Sequence, residues 1–267
     1  MGMRLKLLLV FCITALCILL LIPLVFQPAP DLSSSVAKAI DFYEDIDEPD
    51  ALLMGDVMYR RFGIEAFAGS LQLYDQILSE NPDQAPLMRV FRRMADYYNV
   101  LEDHDLEAVQ LDTDLLTVPA LYCDRLELPM DYSGQLVQGA NLGNYMLTHA
   151  LLACIWIQEN GCEVPLSDDL MEALYLANAE LINEDDVVID LELEAAAFLY
   201  LAGQENLVKG TFIDKIIAVQ NSDGGWSQSS NRRATSDWHT TSLALLVLLH
   251  VEYPSSSYPP MLSPASE

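Results

Sequence analysis

Apolar and polar positions alternate with a helical period along most of the chain, and no segment sustains the strict alternation of a strand. A short first helix precedes an acidic loop over residues 41–50. Met54 to Leu78 reads as helix broken near Gly63 and Gly69, and an Asn81-Pro82-Asp83 turn leads into a helix from Pro86 to Leu101. Gly134 to Glu159 is a long apolar run stopped by Asn160-Gly161, a helix C-terminal signal. Ser167 to Leu181 opens with a Ser cap, and Asp168 and Asp169 in its first turn suit the helix dipole. Leu191–Leu201, Glu205–Gln220 and Asp237–His250 follow, and from Pro254 onward Pro and Ser dominate, which predicts a disordered tail.

A repeat runs through the second half. His149, Glu194 and His239 are spaced 45 residues apart, and each sits near the opening of an Ala- and Leu-rich helix. One further amphipathic helix lies between successive openings, so the period describes helical hairpins. Equivalent positions at the starts of successive inner helices would aim these three side chains at one cavity. Two imidazoles and a carboxylate are a common set for zinc or another divalent metal, with a coordination position left for water. Glu192 and Asp237, each two residues before its partner, are candidates to orient the imidazoles or to act with Glu194 as acid and base. The competing explanation is that each polar residue caps its own helix. Trp156 lies seven residues after His149 on the same helix face, and with Trp226 and Trp238 it is a candidate to line an apolar cavity, core packing being the alternative.

The segment Gln220-Asn221-Ser222-Asp223-Gly224-Gly225-Trp226, followed by Trp238-His239-Thr240-Thr241-Ser242, resembles the terpenoid cyclase and protein prenyltransferase superfamily. The resemblance covers the last third of the chain and extends weakly back to Asn141. It implies an all-α fold, a partial or small α/α toroid of four to five hairpins with inner-helix starts around a central cavity. More loosely, Thr148-His149 with Gly161-Cys162 is similar to a family of secreted animal proteins, a likeness that implies no chemistry. Asp112-Thr113-Asp114-Leu115 is similar to the acid motif of class II terpene cyclases, but Leu115 stands where the last Asp belongs. The zinc set of the prenyltransferases is not recognisable. Exported toroids include polysaccharide-processing enzymes, so a glycan substrate follows only by analogy of fold.

Composition sets the compartment. Leu7 to Phe26 is apolar, preceded by Arg4 and Lys6 and followed by a poor cleavage site, so residues 1–30 read as an uncleaved membrane anchor with a cytoplasmic N-terminus. Residues 31–252 form the exported domain, periplasmic or extracellular, and 253–267 the tail. All 40 Asp and Glu fall beyond the anchor, the net charge is −27, and Arg125 is the only Lys or Arg between Met94 and Val208. That field repels nucleic acid and anionic lipid and favours cations or basic partners, although acidic surfaces also serve solubility. Five Cys exclude a disulfide-dense miniprotein; Cys123, Cys154 and Cys162 lie outside the anchor, enough for one disulfide and one free thiol with the pairing open. Phosphate-binding loops, nucleophile elbows and calcium loops are absent from the sequence. Three functions remain: a tethered domain binding a small-molecule or protein ligand, a metal-dependent hydrolase or lyase, and a structural envelope protein.

Overall fold

The computed structural model describes residues 31–102, 104–183, 187–229 and 235–265. The expected membrane anchor lies outside them. Among the described residues no helix is long and apolar enough to cross a membrane.

Eleven α-helices and no strand make up the described residues: α1 Leu32–Tyr43, α2 Pro49–Phe62, α3 Ser70–Glu80, α4 Ala85–Phe91, α5 Asp112–Leu121, α6 Tyr132–Leu142, α7 Asn144–Glu159, α8 Asp168–Leu181, α9 Asp190–Leu201, α10 Gly210–Val219 and α11 Trp238–Glu252. The all-α expectation holds. Helices α7, α9 and α11 are apolar on every side and buried nearly throughout, as a helix surrounded by protein must be. They pack in succession, α7 on α9 and α9 on α11. Helix α5 continues the row beyond α7, and α1 and α2 continue it beyond α11. Helices α6 and α8 cover α7 from outside. The outer helices bury one stripe each, such as Val36, Ala39 and Tyr43 of α1.

Several boundaries differ from the pattern-based expectation for stated reasons. The run from Gly134 to Glu159 is two helices, because Gly143 takes φ 72° and Asn144 φ 49°, outside the helical region. The helix expected to reach Leu101 stops at Phe91 and tightens into a 3₁₀ turn at Arg92–Met94. Here Arg89 pairs with Asp105, Arg92 with Asp75 and Asp96, and Arg93 bonds Asn160. Helix α5 was not anticipated; Pro119 and a polar first turn hide it.

The Asp-Gly-Gly-Trp turn joins α1 to α11. Gly224 has φ 95°, and a Cβ there would stand 2.1 Å from the Lys38 carbonyl oxygen, so only glycine lets the turn lie on α1. The Gln220 amide donates to the Ser35 and Gly224 carbonyls at 2.9 and 2.8 Å. Tyr43 and Ser242 hydroxyls meet at 2.8 Å between α1 and α11.

The Pro/Ser-rich end is not a disordered tail up to residue 265. Met261 and Leu262 are buried, and both of their amides donate to the Glu159 carboxylate, at 2.8 and 2.9 Å. Arg60 donates to the carbonyls of Pro260 and Met261. Two apolar residues and two charged anchors, Glu159 and Arg60, hold a segment whose composition alone reads as unstructured. Cys123 and Cys162 form a disulfide, and Cys154 is free and buried, its thiol pushed up to about 12 by desolvation.

Candidate functional site

Five helices contribute residues near their starts to one open cavity of about 320 Å³: Asp50 of α2, Thr113 and Asp114 of α5, His149 of α7, Glu194 of α9, and Trp238 and His239 of α11. One to two turns further along the same helices the lining becomes apolar, with Leu53, Leu152, Trp156, Phe198 and Leu243. Met54, Leu87, Phe91, Met94, Leu111 and Met261 also line it. The division follows from helical spacing. His149, Leu152 and Trp156 are three and four apart, Glu194 and Phe198 four apart, so α7 and α9 each present one polar residue and then an apolar stripe.

The 45-residue spacing therefore brings His149, Glu194 and His239 to the same cavity. Glu194 is the centre of the group. Its Oε1 accepts a hydrogen bond from the Thr148 hydroxyl and lies 3.2 Å from His149 Nδ1, and its Oε2 lies 3.8 Å from His239 Nε2. His149 Nδ1 is also 2.9 Å from the Tyr145 carbonyl, which fixes its proton on Nδ1 and leaves Nε2 basic. None of the three is an N-cap. Asp237 caps α11, accepting the Thr240 amide at 2.9 Å.

Asp190, which sequence reasoning missed, is the group that orients His239. Its Oδ1 lies 3.1 Å from His239 Nδ1 and accepts the Thr240 hydroxyl at 2.6 Å, and its Oδ2 accepts the Tyr145 hydroxyl at 3.0 Å. Asp190 stands four residues before Glu194 on one helix face, and that i, i+4 spacing was the available signal. Ligand atoms of Asp190, Glu194 and His239 all lie within 4.8 Å of one another, so this set, rather than His149, Glu194 and His239, is the closer approach to a metal site. An imidazole whose Nδ1 is held by a carboxylate presents Nε2 for a proton or a metal.

Electrostatics reinforce the pairing. Burial works against the His239 charge, but its bond to Asp190 and the negative charges of Asp190, Glu194 and Asp237 outweigh that, and its pKa is raised. Burial likewise raises Asp190, yet His239 and the two hydroxyls more than reverse it, so its pKa is lowered. Asp50 and Asp114 differ. Desolvation by the cavity walls raises both, His239 offsetting the first and His149 the second only in part. Asp50 is exposed at the mouth, yet enough protein surrounds it to weaken its hydration.

Three other expected site residues lie elsewhere. Glu192 is buried and accepts the Asn183 and Ile189 amides, both at 2.9 Å, so it ties down the start of α9 and does not line the cavity. Asp237 is committed to its cap, although its charge reaches His239. Trp226 is outside the lining: its indole N–H donates to the Ile216 carbonyl at 2.8 Å, with α10 and α11 packed around it. Trp156 and Trp238 do line the cavity, and the Trp156 indole N–H points to the Met261 sulfur at 3.4 Å.

Comparison of the chain with protein-family models, curated proteins and solved structures finds no match, so the chemistry of the site rests on its own geometry.

Proposed function

We propose that this protein binds an amphipathic small molecule, apolar part inward among Trp156, Phe198, Leu152 and Leu243, polar part against the carboxylates and imidazoles at the helix starts. One observation carries the reading: a cavity of about 320 Å³ whose walls are apolar apart from a single convergent titratable group. Small-molecule sites have this composition and a volume of roughly 300–1,000 Å³, and perturbed carboxylates and imidazoles concentrate at such sites. The convergence of five helix starts supports the domain being a small α/α toroid, with α2, α11, α9, α7 and α5 as its inner helices. The Cys123–Cys162 disulfide supports export to an oxidising compartment, on the far side of a membrane anchor formed by residues 1–30.

Octan-1-ol carrying a terminal trifluoromethyl group tests this reading on the full chain. Fluorine NMR is expected to show a saturable bound resonance. Met54→Trp, which thrusts an indole into the cavity from a half-buried position, is expected to weaken binding at least about tenfold without lowering the melting temperature by more than a few degrees. Binding that ignores this substitution would place the ligand elsewhere.

A metal-dependent hydrolase or lyase is the second reading, favoured by the orientation of His239 through Asp190 and by the 3.8 Å separation of His239 Nε2 from Glu194 Oε2. Metal ligation requires neutral imidazole, so the raised pKa of His239 makes zinc compete with a proton. On this reading the untagged chain retains about one zinc per molecule at neutral pH, releases it on mild acidification, and loses it in His239→Ala. Metal analysis that finds none in the parent, with no thermal shift on adding zinc, removes this reading and leaves ligand binding.

A further inference from the structure

The cavity combines two features that meet only at its polar end. The first is negative charge without compensation. Asp50, Asp114 and Glu194 line it, and none of the described lining residues is Lys or Arg. The cation-forming groups there are two imidazoles, and Asp190 already offsets that of His239. Among the described residues no hydrogen bond reaches the Asp50 or Asp114 carboxylate. Glu194, only 1 % exposed, bonds Thr148 through Oε1, while the nearest ionic partner of its Oε2 is His239 Nε2, 3.8 Å away and beyond hydrogen-bond range. First-turn carboxylates do complement their own helix dipoles, which accounts for Asp50 and Asp114 being tolerated at helix starts. Burial raises the pKa of both, and the nearby imidazoles offset this only in part.

The second feature is aromatic. Trp238, Trp156, Phe198 and Phe91 line the same space. Aromatic faces attract organic cations, most strongly where water is excluded. A bare divalent ion gains little from such walls, since its ligation is by oxygen and nitrogen. Carboxylates and aromatic rings together match an alkylated ammonium, whose charge is spread over an apolar surface.

We infer that the ligand of this cavity carries a cationic head of the organic ammonium class on its apolar body, with Asp50, Asp114 and Glu194 as counter-ions and the Trp238 and Trp156 rings as walls. The inference rests on the cavity being the binding site, and it names what that site selects. An acidic or neutral amphiphile of the same length would gain the apolar contacts and forgo the charge pairing.

Three trifluoromethyl-terminated octyl probes separate the two ideas on the full chain: the trimethylammonium, the alcohol and the carboxylate. The ammonium is expected to bind at least about tenfold more tightly than the alcohol, and the carboxylate more weakly than either. In Asp50→Asn/Asp114→Asn the ammonium-to-alcohol preference is expected to collapse to within about twofold, in a protein whose melting temperature stays near that of the parent. Equal binding of ammonium and alcohol by the parent overturns the charge inference and leaves the cavity reading standing. Failure of all three probes overturns both. A preference that survives the double substitution shows that these carboxylates are not its source and overturns the assignment. Equimolar zinc that displaces the ammonium but not the alcohol makes the polar end a metal site, and the inference falls.

Discussion

Trp226→Ala is expected to lower stability by about 3–5 kcal/mol, the range for removing a buried aromatic side chain with partial collapse of its cavity. Trp226 is 2 % exposed, its indole bonds the Ile216 carbonyl, and its backbone amide accepts no freedom either, since it donates to the Thr241 hydroxyl at 2.9 Å. The side chain thus pins α10 beneath the turn, while the backbone amide, kept in the alanine variant, ties the turn to α11. For a domain of this size, a loss of that magnitude corresponds to a melting temperature lower by roughly 6–20 °C. Binding of the octyl probes below the melting transition is expected to change by less than about threefold, because Trp226 is outside the cavity. Thermal unfolding and the probe titration check the two halves. A protein that melts normally but no longer binds would make Trp226 a cavity residue after all.

Breaking the Cys123–Cys162 disulfide is the second large effect. The two half-cystines are 39 residues apart, and releasing a loop of that length from the unfolded chain costs about 4 kcal/mol in the chain-entropy account. The loop contains α6 and α7, and so His149. Beside it Arg93, fully buried, bonds Asn160 at 2.6 Å, and Asn160 bonds the Ala120 carbonyl at 3.0 Å. Loosening the loop would let water reach a buried guanidinium and weaken that junction further. A reductant such as dithiothreitol is expected to lower the melting temperature by roughly 8–16 °C. Cys123→Ser/Cys162→Ser is expected to melt at the reduced temperature with or without it. Cys154 is expected not to exchange in the folded state, because its buried thiol ionises only near about 12. A parent melting curve indifferent to reductant would mean that packing alone fixes the loop.

Much of the second half of the molecule was legible because its information is periodic. The 45-residue spacing placed His149, Glu194 and His239 around one cavity before any coordinates, and the Ser167 cap and the stop at Gly161 follow from local chemistry. Asp190 escaped because the expected orienting residues, Glu192 and Asp237, stand two before Glu194 and His239, whereas on a helix the neighbours on one face are three and four away. Asp50 and Asp114 escaped for a different reason. They come from α2 and α5, which share no repeat with the later helices; nothing local marks Asp50, and the acid motif around Asp114 is set aside because Leu115 breaks it. Met261 escaped because its anchor, the Glu159 carboxylate, is 102 residues away in sequence. Composition reports what a segment can do alone, and this one is ordered only by distant partners. Trp226 went the other way: expected as a candidate cavity residue with core packing as the alternative, it takes the alternative, its indole donating to Ile216.

The pairing of α1 with α11 has a consequence for the timing of synthesis. Tyr43 and Ser242, whose hydroxyls join the two helices, are 199 residues apart. At translation rates of 5–20 residues per second, α1 waits about 10–40 s for its partner to be made. During that interval the stripe of Val36, Ala39 and Tyr43 has no α11 to cover it, and the Gly224 turn that will lie on Lys38 does not yet exist. Contacts this distant in sequence also slow folding after release, because chain closure must precede the contacts that reward it. The nascent chain therefore carries the partly uncovered stripe of an amphipathic helix near its start through most of its synthesis, and α11 completes its burial.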